Sequence, residues 1–291
     1  MNFFLALFLL SFYTSGFSQT KSDLVQSIIK YNVLDSDCIG VACSKSPQYN
    51  NFQKLKKIIS EKELLQLSKH PHPVLRTYAE LEMINQKKNI PEILAYEIDK
   101  NETVETQDGC IGGVDPIESI IYHQYWNNVR LDAISKQDTD DKIRELKMKK
   151  ALADDKMMYT LDSLVLHSEK DIYWLVYHHV FENRKFEEKD IHRIEELAFK
   201  NNNSYAFDYL LTNYPSKYQL MIKNYFTTHF LTAKFNSQNK ARYLFRFIEY
   251  LVETKDKEYR NIVIEKLKKD RSWKKYDFFL ETYLEKNNIN L

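Results

Sequence analysis

A proline-broken corner between two amphipathic segments, within residues 63–83, constrains the fold of this chain more than any other feature. Ser60 and Glu63 have the spacing of a capping box, so a helix is predicted to begin directly after Ser60. The HPHP sequence at His70–Pro73 cannot continue that helix, because proline lacks an amide hydrogen and excludes the preceding residue from the α region. A second helix is therefore predicted to begin at Pro73 and to pack antiparallel to the first.

This corner resembles a HEAT-type helical repeat over the string HPHPVLRTYA, at His70–Ala79. That family favours a polar corner, a proline, one spacer, an aliphatic residue, an arginine and then a small residue, which are here Pro73, Leu75, Arg76 and Ala79. The resemblance implies an all-α fold of antiparallel helix pairs, stacked into an α-solenoid that binds partners and does no chemistry. It also implies a polar ladder from Arg76 to the next repeat. Regular copies of the string do not recur, so irregular repeats are expected.

Glycine is scarce enough to argue against several enzyme folds. The 291-residue chain has five glycines, and beyond the N-terminal segment only Gly40, Gly109, Gly112 and Gly113 remain. Neither the GxGxxG pattern of dinucleotide-binding folds nor the phosphate-binding P-loop pattern occurs. The zinc-protease pattern HExxH and the nucleophile pattern GxSxG are also absent from the sequence. These absences favour a binding or scaffold protein over an enzyme, and no cofactor is expected.

Residues 1–18 have the pattern of a signal peptide. Residues 3–10 form an apolar run too short to span a bilayer, and Gly16 and Ser18 place small residues just before a cleavage point. The mature chain is expected to begin near Gln19, to be secreted or periplasmic, and to have no transmembrane segment after cleavage. A retained N-terminal anchor is the alternative.

The mature chain is predicted to contain two helical regions, which could also form one continuous solenoid. A polar stretch at residues 136–141 marks the boundary between a HEAT-like region at 19–136 and a helical-repeat region at 137–291. In the second region, apolar stripes at helical spacing and short connections predict consecutive antiparallel helices. They are expected at residues 171–182, 188–200, 204–214, 216–231, 237–254, 257–269 and 272–287.

Two loops share the sequence Cys-Ile-Gly, at residues 38–40 and 110–112. An oxidising compartment permits a disulfide, and the matched context favours pairing Cys38 with Cys110, which leaves Cys43 over. The loops are then structural corners, where glycine permits a positive φ. The alternative is an enzyme or metal site built on these loops, because thiolate and imidazole groups are typical zinc ligands and thiolates can be nucleophiles. Its candidate residues are Cys38, Cys43, Cys110, His70 and His72.

A basic region lies near the C-terminus, although the whole chain carries a net charge of only +1. Residues 234–275 contain thirteen Lys or Arg and six Asp or Glu side chains. The near-neutral chain has no general attraction to nucleic acid, which is therefore not expected as a partner. The basic region could contact a protein partner or, as an alternative, an anionic glycan or lipid head group. Its candidate contact residues are Arg242, Arg246, Lys268, Lys269, Lys274 and Lys275.

The remaining histidines do not suggest a metal site. His178 and His179 are adjacent in a predicted helix and are expected to point to different sides of it, so they are not expected to share an ion. His123 lies between Tyr122 and Tyr125 and is expected to be a packed residue. The sequence thus predicts a secreted, non-enzymatic helical-repeat protein that binds or scaffolds a protein partner whose identity the sequence does not reveal.

Overall fold

The computed structural model describes residues 20–276 and 279–291, so the predicted signal peptide at 1–18 lies outside the described residues. Within these ranges the chain is mostly helical, which confirms the helical class, and it also contains a small sheet that the sequence did not predict. The chain divides into two compact units, one ending at Gln124 and one beginning at Tyr125. The boundary expected at 136/137 stays a prediction. None of the described helices is both long and apolar enough to cross a bilayer.

The first unit combines helices with a four-stranded sheet of order β2-β1-β3-β4. Strands β1 and β3 are parallel, whereas the β1–β2 and β3–β4 pairs are antiparallel. The strands are β1 (Leu34–Ile39), β2 (Ser44–Lys45), β3 (Thr103–Gly109) and β4 (Ile111–Pro116). The helices are α1 (Lys21–Tyr31), α2 (Pro47–Ile58), α3 (Glu61–Leu67), α4 (Pro73–Asn85) and α5 (Ile90–Lys100), followed by α6 (Ile117–Asp132), which contains the division between the units.

The proline-broken corner has the structure that its residues predict. The Ser60 hydroxyl accepts a hydrogen bond from the Glu63 amide, and the Glu63 carboxylate accepts one from the Ser60 amide, which completes the capping box of α3. Helix α3 ends at Leu67, and α4 begins at Pro73. Residues of α4 then fill the core of the first unit, where Leu75 and Ala79 are fully buried.

The predicted pairing of Cys38 with Cys110 is wrong, because the disulfide joins Cys38 to Cys43. Gly40 and Cys43 both have positive φ and form the tight turn between β1 and β2, which brings the two cysteine Cα atoms within 4.7 Å. Cys110 is exposed and has a free thiol. The two Cys-Ile-Gly segments are neighbours in the sheet, since the Gly40 amide donates to the Gly109 carbonyl at 2.6 Å. Main-chain pairing therefore joins the two segments.

The second unit consists of helices, and most of the predicted ones lie within a few residues of their expected bounds. The helix predicted at 257–269 has the observed ends. The segment predicted as one helix at 216–231 forms two helices, and the segment predicted at 272–287 begins with a 3₁₀ turn. The elements are α7 (Asp141–Asp154), α8 (Lys156–His167), α9 (Trp174–Asn183), α10 (Glu188–Glu195), a π-helical turn (Glu196–Lys200), α11 (Ser204–Asn213), α12 (Pro215–Thr227), α13 (His229–Thr232), α14 (Gln238–Glu253), α15 (Lys257–Lys269), a 3₁₀ turn (Arg271–Lys275) and α16 (Phe279–Lys286).

Lys266 on α15 is a fully buried cation in this second unit. Its Nζ atom donates to the Ala233 carbonyl and lies 5.6 Å and 5.1 Å from the ring centres of Phe230 and Phe235. Burial lowers the pKa of Lys266 to about 8. An unfolded lysine keeps a pKa of about 10.4, so the unfolded state holds this proton at pH values where the folded state has lost it.

We expect Lys266 to contribute a rise of up to about 1 kcal/mol per pH unit to the free energy of unfolding of the second unit between pH 8 and about 10, because the unfolded state then binds this additional proton. Urea unfolding of the wild type and of Lys266→Met at about pH 7.5, 8.5 and 9.5, which bracket the folded-state pKa, would measure this slope. The methionine variant has no proton to lose, so the stability of the wild type relative to the variant should rise over the same interval. Equal slopes for the two proteins would show that Lys266 does not titrate in this window.

Candidate functional site

Two of the predicted contact residues, Arg242 and Arg246, lie one turn apart on α14 and stack on aromatic rings of other helices. The Arg242 guanidinium carbon lies 4.9 Å from the centre of the Trp174 ring, and that of Arg246 lies 4.8 Å from the Tyr205 ring. These two rings are themselves stacked, with centres 6.2 Å apart and 14° between their planes. We call these four side chains the arginine–aromatic surface.

The amphipathic character of α14 places both arginines at the edge of the core. Ala241, Leu244 and Ile248 are buried on one side of this helix, whereas Arg242 and Arg246 are half-buried. Asn239, at the start of the same helix, holds the first turn of α9 in place. Its side chain accepts a hydrogen bond from the Trp174 amide at 3.2 Å and donates one to the Ile172 carbonyl at 3.2 Å. The indole ring is thus positioned by α14 itself.

The two arginines differ in their electrostatic partners. Arg246 donates to the Asp208 carboxylate at 2.7 Å, and this bond keeps the pKa of Arg246 raised although burial lowers it. Arg242 forms no ion pair with any carboxylate in the described parts of the chain. The Nε atoms of both arginines are buried and have no hydrogen-bond partner there. Burial raises the pKa of Tyr205, and the two guanidinium charges oppose that rise.

The predicted lysines are placed apart from the arginine pair. Lys268, Lys269 and Lys275 are exposed at the end of α15 and in the 3₁₀ turn that follows. Lys274 is paired with Glu281 at 2.5 Å. Among the described residues, no contact links these lysines to the arginine–aromatic surface. The basic stretch of the sequence therefore forms a half-buried arginine pair and a separate exposed lysine group.

Contrary to the expectation from their adjacent positions on α9, His178 and His179 both approach one carboxylate. The Nε2 atom of His178 lies 3.5 Å from an oxygen of Glu182, and the Nδ1 atom of His179 lies 3.7 Å from the same oxygen. These three residues are the one group of metal-ligand type, with donor atoms within 4.8 Å of one another, in the chain as described. Two imidazoles and a carboxylate are ligands that Zn²⁺ accepts, so this group could hold an ion.

The same two histidines extend the ring contacts of the arginine–aromatic surface. The His178 ring lies 5.2 Å from the Tyr205 ring, and His179 stacks on Trp126 with ring centres 4.1 Å apart. The guanidinium of Arg130 lies 4.0 Å from the same indole. Since the His178 and His179 ring centres are 5.1 Å apart, a series of neighbouring rings and guanidinium groups extends from Arg242 to Arg130. By contrast His123, in the first unit, is packed: its Nδ1 lies 2.7 Å from the Ser119 carbonyl, and burial lowers its pKa.

Arg76 is fully buried in the first unit and makes the interactions that fix the corner. Its Nε donates to Glu97 at 2.7 Å, and one Nη donates to Glu102 at 2.5 Å. The other Nη donates to the carbonyls of His70 and Pro71 at 3.1 Å and 3.4 Å. Arg76 thus joins the corner to the helix that follows α4. The repeat ladder implied by the HEAT resemblance stays a prediction.

The alternative site at the Cys-Ile-Gly loops loses two of its thiols to the disulfide between Cys38 and Cys43. In the described residues, neither His70 nor His72 belongs to a three-residue cluster of metal-donor atoms with the remaining Cys110. His70 accepts a hydrogen bond from the His72 amide at 3.0 Å, and burial lowers the pKa of both imidazoles. Their geometry is that of a structural corner.

Comparison of the chain with models of protein families, with curated proteins and with solved structures finds no match. The i, i+4 spacing of Arg242 and Arg246 on the polar side of α14 was visible in the sequence, and it was the only signal for this site. Sequence reasoning missed Trp174 and Tyr205, since nothing local indicates which rings of other helices the arginines will meet.

Proposed function

We propose that this protein is a non-enzymatic binding protein that holds an acidic segment of a protein partner on the arginine–aromatic surface. The position of Arg242 supports this proposal most directly. Its guanidinium is half-buried on the face of Trp174 and has no carboxylate partner among the described residues. A guanidinium offers five donors in a planar fork that matches a carboxylate. A carboxylate from the partner would supply the counter-charge that the chain itself does not place there.

Residue composition supports a protein partner over a small anion. Trp, Tyr and Arg are the residues that most often dominate the binding energy of protein interfaces. Stacking on Trp174 and Tyr205 restrains both guanidinium groups before the partner arrives, which reduces the entropy lost on binding.

We further infer that the helices form irregular HEAT-like pairs in an α-solenoid. Contacts between consecutive helices, such as α8 with α9 and α14 with α15, support this arrangement. The N-terminal pattern at 1–18 supports a secreted or periplasmic location.

The proposal predicts that Arg242→Ala weakens the binding of an acidic peptide by about tenfold or more, as expected for a central interface arginine. The probe is a fluorescein-labelled peptide of alternating Glu and Leu, followed by anisotropy, with a Lys-and-Leu peptide of equal length as the reference ligand. Arg242→Lys keeps the charge but loses the planar fork, so it should restore only part of the affinity. Lys275→Ala removes one exposed charge and is the matched control.

Equal losses for Arg242→Ala and Lys275→Ala would mean that the peptide senses only general positive charge, and the proposal would fail. Binding of both peptides with similar affinity would contradict it as well. Tight binding of heparin that depends on Lys268, Lys269 and Lys275, without peptide binding, would favour the anionic-glycan alternative instead.

A further inference from the structure

A cleft of about 600 Å³ lies in the first unit, and its lining comes from β1, β3, β4, α2, α4 and α6. This volume is in the range of sites that hold small organic ligands. The lining is unusually acidic: Asp35, Asp37, Glu82, Asp108 and Asp115 face a single cation, Lys56. Lys56 is already paired with Glu82 at 2.8 Å, which leaves four carboxylates without a cationic partner in the described residues.

Asp35 is a buried carboxylate in this cleft, whereas the carboxylates around it are exposed or half-buried. It is only 3% exposed, and one of its oxygens accepts a hydrogen bond from the Ser46 hydroxyl at 2.6 Å. The other oxygen, Oδ1, is buried and has no hydrogen-bond donor among the described residues. Burial, then the Asp35 charge and then a side-chain hydrogen bond with Asp35 raise the pKa of the nearby Tyr31. A buried carboxylate oxygen without a donor is costly, and an N–H group of a ligand would satisfy it.

Aromatic side chains supply an apolar wall beside these carboxylates. Phe52 and Tyr78 are stacked with ring centres 5.0 Å apart and 16° between their planes. The Tyr78 hydroxyl is fixed by the main chain of Asp35, because it accepts from the amide at 2.9 Å and donates to the carbonyl at 2.8 Å. Burial raises the pKa of Tyr78, so this phenol is neutral near pH 7. Phe52 is only 2% exposed and Tyr78 only 3%, so the accessible apolar lining comes from half-buried residues such as Tyr49 and Leu81, which methylene groups can contact favourably.

The carboxylates of the cleft do not converge on a single point. The one cluster of three metal-donor atoms within 4.8 Å in the described residues is His178, His179 and Glu182, which is not in this cleft. A compact metal ion needs several oxygens at about 2.0–2.6 Å from one centre, which dispersed carboxylates do not offer. An elongated cation can meet each carboxylate with a separate ammonium group. The negative charge of the cleft, its volume and the separation of its carboxylates together favour a chain-like organic cation.

We propose that this cleft binds an extended organic cation of the linear polyamine class. One ammonium group pairs with the buried Asp35, others pair with the carboxylates at the rim, and the methylene chain lies against the half-buried Tyr49 and Leu81. This site belongs to the first unit and is independent of the arginine–aromatic surface of the second.

The test is calorimetric titration of the full chain with spermidine in about 0.1 M salt, where screening weakens non-specific attraction between exposed charges. Asp35→Asn is expected to weaken binding by about tenfold, because it removes a desolvated charge partner. The double variant Asp37→Asn/Asp108→Asn changes only exposed side chains, so its folding is not at risk, and a loss of about two- to fivefold is expected. Glu92→Gln is the matched control, since it removes one exposed carboxylate outside the cleft.

Several outcomes would overturn the proposal. Equal losses for Glu92→Gln and for the double variant would show general attraction to negative charge. Mg²⁺ that displaces spermidine at equal concentration would show that the cleft prefers a compact ion. Binding of a lysine-rich peptide without binding of spermidine would assign the cleft to a protein partner. Circular dichroism will show whether Asp35→Asn folds. If it does not, the affinity of the Asp37→Asn/Asp108→Asn variant for spermidine is the test. An affinity equal to that of the wild type would overturn the proposal.

Discussion

Replacing Arg76 with methionine is expected to lower the free energy of unfolding of the first unit by about 3–5 kcal/mol, the usual cost of breaking a buried ion pair on one side. Arg76 and Glu97 are both fully buried, so the variant leaves the Glu97 carboxylate without its counter-charge. Glu102 and the carbonyls of His70 and Pro71 lose donors as well. The loss should therefore concentrate at the corner and in α5. Urea unfolding and native-state hydrogen exchange of amides in α4 and α5 would measure it.

Glu80→Gln is the control for this prediction, because Glu80 is buried in the same network but is not ionised. Burial and then the charge of Glu97 raise the pKa of Glu80 well above its usual range, so its carboxyl group keeps a proton at neutral pH. An unfolded glutamate loses that proton above a pKa of about 4.3. Folding at pH 7 must therefore take up a proton at Glu80, and the contribution of Glu80 to wild-type stability falls as the pH rises from about 5 to 7.

The glutamine amide that replaces this carboxyl group needs no proton and has nearly the same size and shape. The Glu80→Gln variant should thus be at least as stable as the wild type at pH 7, and its advantage should grow between about pH 5 and 7. A loss of several kcal/mol in Glu80→Gln would show that Glu80 is ionised and acts as a partner of Arg76. A loss below about 1 kcal/mol in Arg76→Met would mean that Glu97 can also become neutral, and the buried ion pair would then contribute little.

Features that depend on neighbours in the sequence could be predicted. The capping box at Ser60 and the helix start at Pro73 are set by residues within one turn, and both are confirmed. The stripes of the second unit gave the extents of α14 and α15 to within one residue at each end. In each case the signal is local backbone chemistry or a 3.6-residue period, which needs no knowledge of the rest of the fold.

The sheet could not be predicted, because its strands are defined by pairing between distant segments. Leu34 pairs with Thr106, and Ile39 pairs with Gly109. Strands β3 and β4 contain Gly and Asp, which are depleted in strands, and they show little alternation of large apolar side chains. The cysteine prediction failed for a related reason. It relied on matching sequence context, whereas the disulfide follows the short turn that brings Cys43 back to Cys38.

Only some residues of the candidate sites could be predicted from the sequence. Arg242 and Arg246 could be selected from their spacing on one helix, but their aromatic partners on α9 and α11 are known only from packing. The acidic cleft gave no sequence signal. Asp35 and Asp115 lie in separate polar segments, and each by itself is typical of a turn. The parallel pairing of β1 with β3 and the antiparallel pairing of β3 with β4 together bring these segments to one cleft.

Phe207→Ala is expected to lower the free energy of unfolding of the second unit by about 3–5 kcal/mol, as for other large-to-small changes of a buried phenylalanine. Phe207 on α11 is 1% exposed and meets rings from α12 and α14. Its ring centre lies 5.4 Å from Phe226 and 5.0 Å from Phe247, both at steep interplanar angles. Edge-to-face contacts of this kind stabilise beyond the area that they bury. Phe207→Leu keeps most of the volume and should cost clearly less, roughly 1–1.5 kcal/mol.

Binding of benzene distinguishes a rigid cavity from a collapsed one in the Phe207→Ala variant. If the surrounding rings hold their positions, the space left by the phenyl group is apolar and dry, and benzene should fill it and raise the melting temperature of the variant but not of the wild type. Rings that move inward would lower the cost of the substitution and leave no space for benzene, because the penalty depends on how far a site can collapse. A loss below about 2 kcal/mol without a benzene effect would therefore show that the ring cluster repacks. A large loss that benzene partly restores would show that Phe207 fills a site whose shape the neighbouring helices fix.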